Sequence, residues 1–255
     1  WAYRLPSFIF LILALYATFK FAQLKYNQTV AYLAVLILAS CQAFFLIAHD
    51  VRTDTMLMGW VALTIWLIAK WESSKAWQDF ALAMVAIAGG MMTKGPIAIV
   101  VPVLAFAPQW FFEKKWAYFF KPIYLLGILI IGILLIPMSW GLYQQFDLHP
   151  GKLINNIPIQ SGLRFYYWTQ SFGRYTGENY YHEMSYPTFL LENMLWSFLP
   201  WIFIFIWAFV AKGITMFKEG LFNVQTERIS FFGFFLTYLV LSRSQAQLPH
   251  YIFVV

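Results

Sequence analysis

Ile123-Tyr-Leu-Leu-Gly-Ile-Leu-Ile-Ile-Gly-Ile-Leu-Leu-Ile-Pro-Met-Ser-Trp140 contains no charged side chain. About 20 apolar residues carry a helix across the hydrocarbon of a bilayer. Inside lipid, every backbone N–H and C=O must be satisfied within the fold, which favours a helix. The stretch therefore reads as a membrane span. The pattern recurs at residues 5–19, 29–48, 55–69, 80–92, 97–112, 189–211 and 229–241. Charged residues make up 11% of the 255 and hydrophobic ones 61%, whereas a soluble domain carries about 25% charged residues. The expected fold is all-α, a polytopic transmembrane helical bundle. We expect one membrane domain over residues 1–255, truncated at both ends. The chain opens on Trp1 rather than Met and closes inside a further apolar run, residues 248–255. No signal peptide is visible, so the internal helices would direct insertion.

The formal charge is +6, but the basic residues are divided among loops rather than clustered, which argues against nucleic acid as a partner. Cys41 is the only cysteine; it cannot form an intrachain disulfide and reads as a small buried apolar group. Alternate loops differ in charge. Lys20 and Lys25, Lys70 and Lys75, Lys114, Lys115 and Lys121, and Lys212, Lys218 and Arg228 fall in one set. An excess of lysine marks cytoplasmic loops. The other set, around residues 49–54, at Lys94, over 141–187 and over 242–250, then faces outward. Trp60, Trp66, Trp71, Trp77, Trp110, Trp116 and Trp201 are expected to form only an interfacial belt.

Four polar clusters lie in the outward set. His49-Asp-Val-Arg-Thr-Asp54 places two carboxylates, a histidine and an arginine at a membrane boundary, where ionisable groups are costly unless paired or used. A helical turn would set Asp50 and Asp54 on one face, as suits a base or a cation site. Asp54 also reads as a helix N-cap, with Arg52 pairing locally. Met92-Thr-Lys-Gly-Pro96 is a tight turn whose Lys94 and following helix start favour an anion such as phosphate; a lysine reaching for water at an ordinary turn is the alternative. In Ser161–Glu178, helical spacing puts Arg164, Tyr167, Ser171 and Arg174 on one face beside an aromatic stripe. That pattern fits a helix lying in the interface, with two arginines able to grip a lipid phosphate. Ser242–Tyr251 brings His250, which suits a hydrogen bond donated to phosphate, metal ligation or a structural hydrogen bond. His149 and His182, with Asp147, Glu178 and Glu183, allow a divalent metal but lack a fixed ligand spacing.

In this order the clusters resemble the lipid-phosphate-sugar glycosyltransferases of the protein O-mannosyltransferase superfamily, and within it the bacterial aminoarabinose transferases. The resemblance is carried by Asp54 at a helix start, Met92-Thr-Lys-Gly-Pro96 followed by Val101-Pro-Val-Leu, and Pro137-Met-Ser-Trp-Gly141. It continues through Ser171-Phe-Gly-Arg-Tyr-Thr-Gly-Glu178, Ser197-Phe-Leu-Pro-Trp201 and Gln247-Leu-Pro-His-Tyr251. It implies a GT-C type fold with an outward-facing loop and interfacial-helix region. It also implies a polyprenyl-phosphate sugar donor and a lipid, glycan or protein acceptor, with inversion at the outer face of the bacterial inner membrane. Carried over by position, Asp54 would be catalytic, and Lys94, Arg174, His250 and Tyr251 would bind substrate; the charge cluster itself adds Asp50 as a second catalytic candidate and Arg52 as a further substrate-binding one. Three departures accompany the match. The family's first acidic motif, usually assigned the base, would precede Trp1, which would put the main catalytic carboxylate upstream of this sequence. Gln170 and Ser171 stand where some relatives have Glu-His, which weighs against a metal site. Gln247 stands where relatives often carry Lys. A transporter or flippase of a lipid-linked or anionic substrate is the alternative, since broken spans and charges at the membrane edge serve transport too; a scaffold without chemistry would tolerate alanine in all four clusters.

Overall fold

The structure, a computed structural model, describes residues 2–149, 151–154, 157–176, 178, 186, 188–219, 227–244 and 247–254. Twelve helical segments run in order among these residues: α1 (Leu5–Lys25), α2 (Gln28–Ser40), α3 (Gln42–Ala48), α4 (Thr53–Ser74), α5 (Trp77–Lys94), α6 (Ile97–Phe112), α7 (Ile123–Leu142), α8 (Gly162–Arg164), α9 (Gly173–Thr176), α10 (Phe189–Ser197), α11 (Ile202–Lys218) and α12 (Ile229–Ser242). A small antiparallel hairpin, β1 (Lys152–Ile154) with β2 (Ile157–Ile159), lies in the outward segment.

Helix α4 sits at the centre, packed on α1, α5 and α6, with α7 against α5 and α12 against α6. Leu57, Val61, Phe80, Ile87, Val101 and Phe106 form the buried core. Lipid gives no hydrophobic drive for helix pairing, so close backbone approach at small residues matters more. At Gly59 an added Cβ would lie 2.8 Å from the backbone oxygen of Phe10, which fixes how near α1 approaches α4. The outer face of α7 is apolar and open, with Leu125, Ile128, Ile133 and Ile136 exposed; a stripe that size suits lipid rather than water.

Two ends of the bundle are distinct. At one, Lys25 pairs with Glu72 at 3.1 Å, Lys70 with Asp79 at 2.7 Å, and the Arg228 amide donates to Gln109 Oε1 at 2.7 Å. These contacts join the ends of α1, α4 and α6 to the starts of α5 and α12. At the other end Asp54 meets Lys94, and Tyr175 Oη donates to the Val240 carbonyl at 2.8 Å. The lysine-rich loops and the polar loops thus gather at opposite ends, as the charge alternation requires.

Several expected spans are revised. Residues 29–48 do not form one helix: the chain breaks at Cys41, whose extended backbone (φ −73°, ψ 147°) bends α3 by 62° from α2. Residues 189–211 break at the Phe198–Trp201 turn before Ile202, by 120°, where Pro200 cannot continue a helix. The two breaks are tied together: Gln42 N–H donates to the Leu199 carbonyl at 2.9 Å, and Trp201 Nε1 to Ser40 Oγ at 2.9 Å. By length and composition, two described helices are long and apolar enough to cross a membrane alone, Leu5–Lys25 and Trp116–Asp147, or up to four if each bent pair counts as one span. Helices α4 and α5 carry charge at their ends and are enclosed by neighbours, so they need less lipid-facing apolar surface. Nor are the tryptophans only a belt. Trp71 is buried among Phe80, Tyr118 and Tyr124, Trp110 donates to Glu72, and Trp60 packs edge-on against Phe10.

Candidate active site

His49 and Asp50 turn off the end of α3, and Arg52, extended (φ −130°, ψ 151°), is the N-cap of α4. Asp54 therefore falls in the first helical turn. Its side chain is 4% exposed, and a carboxylate so enclosed needs a partner. Lys94, the last residue of α5, supplies one through an ion pair to Asp54 Oδ1.

The turn that delivers Lys94 depends on glycine. Gly95 has φ +77° and ψ −155°, a conformation that side-chain-bearing residues rarely adopt. Its N–H caps α5 by donating to the Met91 carbonyl at 2.8 Å, and Pro96 then opens α6. A Cβ at Gly95 would also lie 3.4 Å from Ser171 Oγ and from the Tyr166 carbonyl, so the outward segment lies directly over the turn. Gly95→Ala is expected to cost about 1–3 kcal/mol, read as a lower melting temperature of the full-length protein in detergent.

His250 comes from the far end of the chain, in the 3-10 turn Pro249–Val254. Arg52 Nη1 lies 2.9 Å from its Nδ1, and its Nε2 lies 3.8 Å from Asp54 Oδ2. Guanidinium only donates, so Nδ1 accepts, and the proton of the neutral ring sits on Nε2, facing Asp54. Lys94 Nζ stands 4.8 Å from the centre of the buried Tyr251 ring, a cation–π contact that holds the ammonium from a second side. Tyr166 Oη lies 2.9 Å from both the Met91 and Met92 carbonyls and donates to them, tying the outward segment to the end of α5. Burial pushes the Tyr166 phenol above its ordinary range, so the hydroxyl keeps the proton it donates.

A cavity of about 370 Å³ opens beside this cluster. Lys94, Thr93, Ser171 and Ser244 give it a polar side; Leu57, Ile97, Val100 and Leu241 give it an apolar one. The shape suits an amphiphile whose anionic head reaches Lys94.

The structure thus brings together Asp54, Lys94, His250, Tyr251 and Arg52, but not every candidate joins them in the expected way. Asp50 does not share a helical face with Asp54, because α4 starts only at Thr53; it is half exposed and pairs with Arg52. The Asp54 N-cap is likewise replaced by Arg52. The backbone of Arg174 lies in α9, while its side chain lies outside the described part of the structure. The continuous interfacial helix is divided: α8 runs into a π-turn at Phe165–Thr169, then a bend, then α9. A π-turn bonds i to i+5 and so rotates the next residues about the helix axis. Arg164 accordingly pairs with Glu178 at 3.4 Å, Tyr167 bonds Ser139 at 2.9 Å, and Ser171 faces Gly95.

Among the described residues no three His, Cys, Asp or Glu side chains gather as a metal site. Asp147 is engaged by Ser161 at 2.6 Å and by the Gly162 N–H at 2.9 Å; His182 and Glu183 lie outside the described residues. Sequence reasoning missed Tyr166, which nothing in its aromatic neighbourhood distinguishes. It also missed the Arg52–His250 contact, because the two residues are 198 positions apart.

The backbone matches the crystal structure of ArnT from Cupriavidus metallidurans in the apo state, with a TM-score of 0.73 and 17% identity over 98% of this chain and 42% of that one. The fold is therefore that of a GT-C type membrane protein. Residues 1–140 match the family described as dolichyl-phosphate-mannose-protein mannosyltransferase, and the chain belongs to that family. It is 25% identical over 211 residues to the undecaprenyl phosphate-alpha-4-amino-4-deoxy-L-arabinose arabinosyl transferase 2 of Pseudomonas fluorescens (strain Pf0-1), covering 78% of this chain and 33% of the relative. Its likeness to the transferase 2 of Proteus mirabilis (strain HI4320) is 24% over 209 residues, covering 79% of this chain and 34% of that relative. The chain thus spans about a third of the length of these curated relatives.

Proposed function

We propose that the full-length protein is a membrane glycosyltransferase. It moves a sugar from a polyprenyl-phosphate donor to a lipid, glycan or protein acceptor, at the outer, periplasmic face of a bacterial inner membrane. The observation that carries this reading is the Asp54–Lys94–His250 cluster, whose Lys94 lines a half-apolar cavity. The names of the related transferases support an undecaprenyl-phosphate donor, and the lysine excess of the opposite loops supports the sidedness.

In this mechanism the acceptor hydroxyl attacks the anomeric carbon as the bond from that carbon to the phosphate oxygen breaks. The bonding pair leaves on the polyprenyl phosphate, and the acceptor proton passes to a carboxylate. Asp54 orients the acceptor and receives that proton; Lys94, with His250 and Arg52 behind it, faces the charge gathering on the departing phosphate. Fixed positive groups aimed at developing charge are often the largest catalytic contribution. Lys94 neutralises Asp54 before the donor arrives, and an incoming phosphate competes for the same ammonium, which frees the carboxylate as the donor seats. The apolar wall of Leu57, Ile97 and Val100 accommodates the start of the prenyl chain.

In-line displacement with one carboxylate inverts the anomeric centre. NMR of the product formed by the full-length protein from an undecaprenyl-phosphate sugar of known anomeric configuration tests this. Inversion is the expected outcome, and retention would overturn the mechanism.

A further inference from the structure

At the opposite end of the bundle, three lysines converge on one ring. Lys121 Nζ stands 3.7 Å from the centre of Tyr118, Lys75 Nζ 4.8 Å and Lys115 Nζ 5.9 Å. Like charges this close repel one another unless counter-charge is near. Lys115 has it, in Glu113 at 2.6 Å. The other two rest on neutral groups. Lys75 donates to the Tyr118 hydroxyl and to the Glu72 carbonyl, and Lys121 lies over the rings of Tyr118 and Trp71. Glu72 is taken by Lys25 and by the indole of Trp110. Among the described residues, neither Lys75 nor Lys121 forms an ion pair. The cluster therefore carries uncompensated positive charge while being held rigidly by aromatic faces.

Its setting points to the source of the missing charge. Lys115 and Lys121 flank a short 3-10 turn, Trp116–Tyr118, between α6 and α7. Beside them Phe120 is 85% exposed and Trp116 52% exposed. Exposed aromatic rings next to lysines, at the end of an apolar span, mark the headgroup level of a bilayer. A free anion in water would have no use for those rings, whereas a phospholipid lays its acyl chains along them and along the open face of α7. Basic pockets at the lysine-rich end of membrane helices suit anionic headgroups.

We propose that Lys75, Lys121 and Lys115, arranged around Tyr118, form a binding site for the phosphate of an anionic phospholipid in the leaflet at the lysine-rich end, remote from the Asp54 cluster. The probe is phosphatidylglycerol added to the full-length protein in neutral detergent, with phosphatidylethanolamine and inorganic phosphate as separate arms and melting temperature as the readout. Phosphatidylglycerol is expected to raise the melting temperature of wild type by several degrees, while phosphatidylethanolamine and inorganic phosphate leave it within a degree. In K75Q/K121Q the phosphatidylglycerol shift should fall by more than half. If that pair lowers the basal melting temperature too far to read, Lys121→Gln alone, compared with Lys121→Arg, carries the test: the arginine variant should keep the shift and the glutamine variant lose much of it. An equal shift in wild type and glutamine variants would overturn the site. A shift of the same size with inorganic phosphate would overturn the assignment to lipid.

Discussion

Asp54→Asn in the full-length protein is expected to lower sugar transfer at least about 100-fold, the low end of what one positioned acid–base group contributes, while expression and melting temperature stay near wild type. Asparagine keeps the shape of the side chain but cannot take a proton. Lys94 loses its counter-charge, yet its side chain is 25% exposed and can turn toward water or toward the donor phosphate. The loss should therefore appear in kcat with KM for the donor unchanged or lower, the signature of an interaction made in the transition state. Steady-state kinetics with varied donor reads the split. Wild-type kcat in the asparagine variant would remove Asp54 from the reaction.

Lys94→Met is the harsher change. It leaves the enclosed Asp54 carboxylate facing the His250 ring at 3.8 Å without the ammonium that balances its charge. Breaking a buried ion pair from one side costs about 3–5 kcal/mol, because the orphaned charge stays buried. The single variant is expected to melt well below wild type and to transfer no sugar. The double variant D54N/K94M removes both charges and should recover most of the lost stability while remaining inactive. A double variant as unstable as the single one would mean that Lys94 acts through packing rather than charge. Recovery of activity with recovery of fold would mean that the pair serves only structure.

Much of the fold was legible in the sequence, for physical reasons that differ by element. The helical bundle follows from composition, because lipid permits few other spanning structures. The two ends follow from which loops hold lysine. The Met92–Pro96 turn was readable because Gly and Pro have few conformational alternatives, and Gly95 indeed occupies a region reserved for glycine. The breaks at Cys41 and before Ile202 were not readable from hydropathy, since an apolar run has the same composition whether it is straight or bent; Pro200 was the available sign for the second. Helical spacing sets Asp50 beside Asp54 only where the helix runs through both, and the chain instead enters α4 through an extended Arg52. The shift of side chains in Ser161–Thr176 comes from a π-turn, which no periodicity announces. The site itself was legible by residue but not by contact. That Asp54 meets Lys94, and that His250 reaches back to Arg52, depends on how α4, α5 and the end of the chain pack.

The most direct measurement uses full-length protein in detergent, where no sealed compartment exists. It is incubated with a panel of undecaprenyl-phosphate pentoses and hexoses and candidate acceptors, and released undecaprenyl phosphate is quantified against glycosylated product. Release is expected for at least one donor, in a one-to-one ratio with product and dependent on Asp54. Contradiction would be no release with any donor in detergent, together with movement of an intact lipid-linked sugar between leaflets once the same protein is sealed into vesicles.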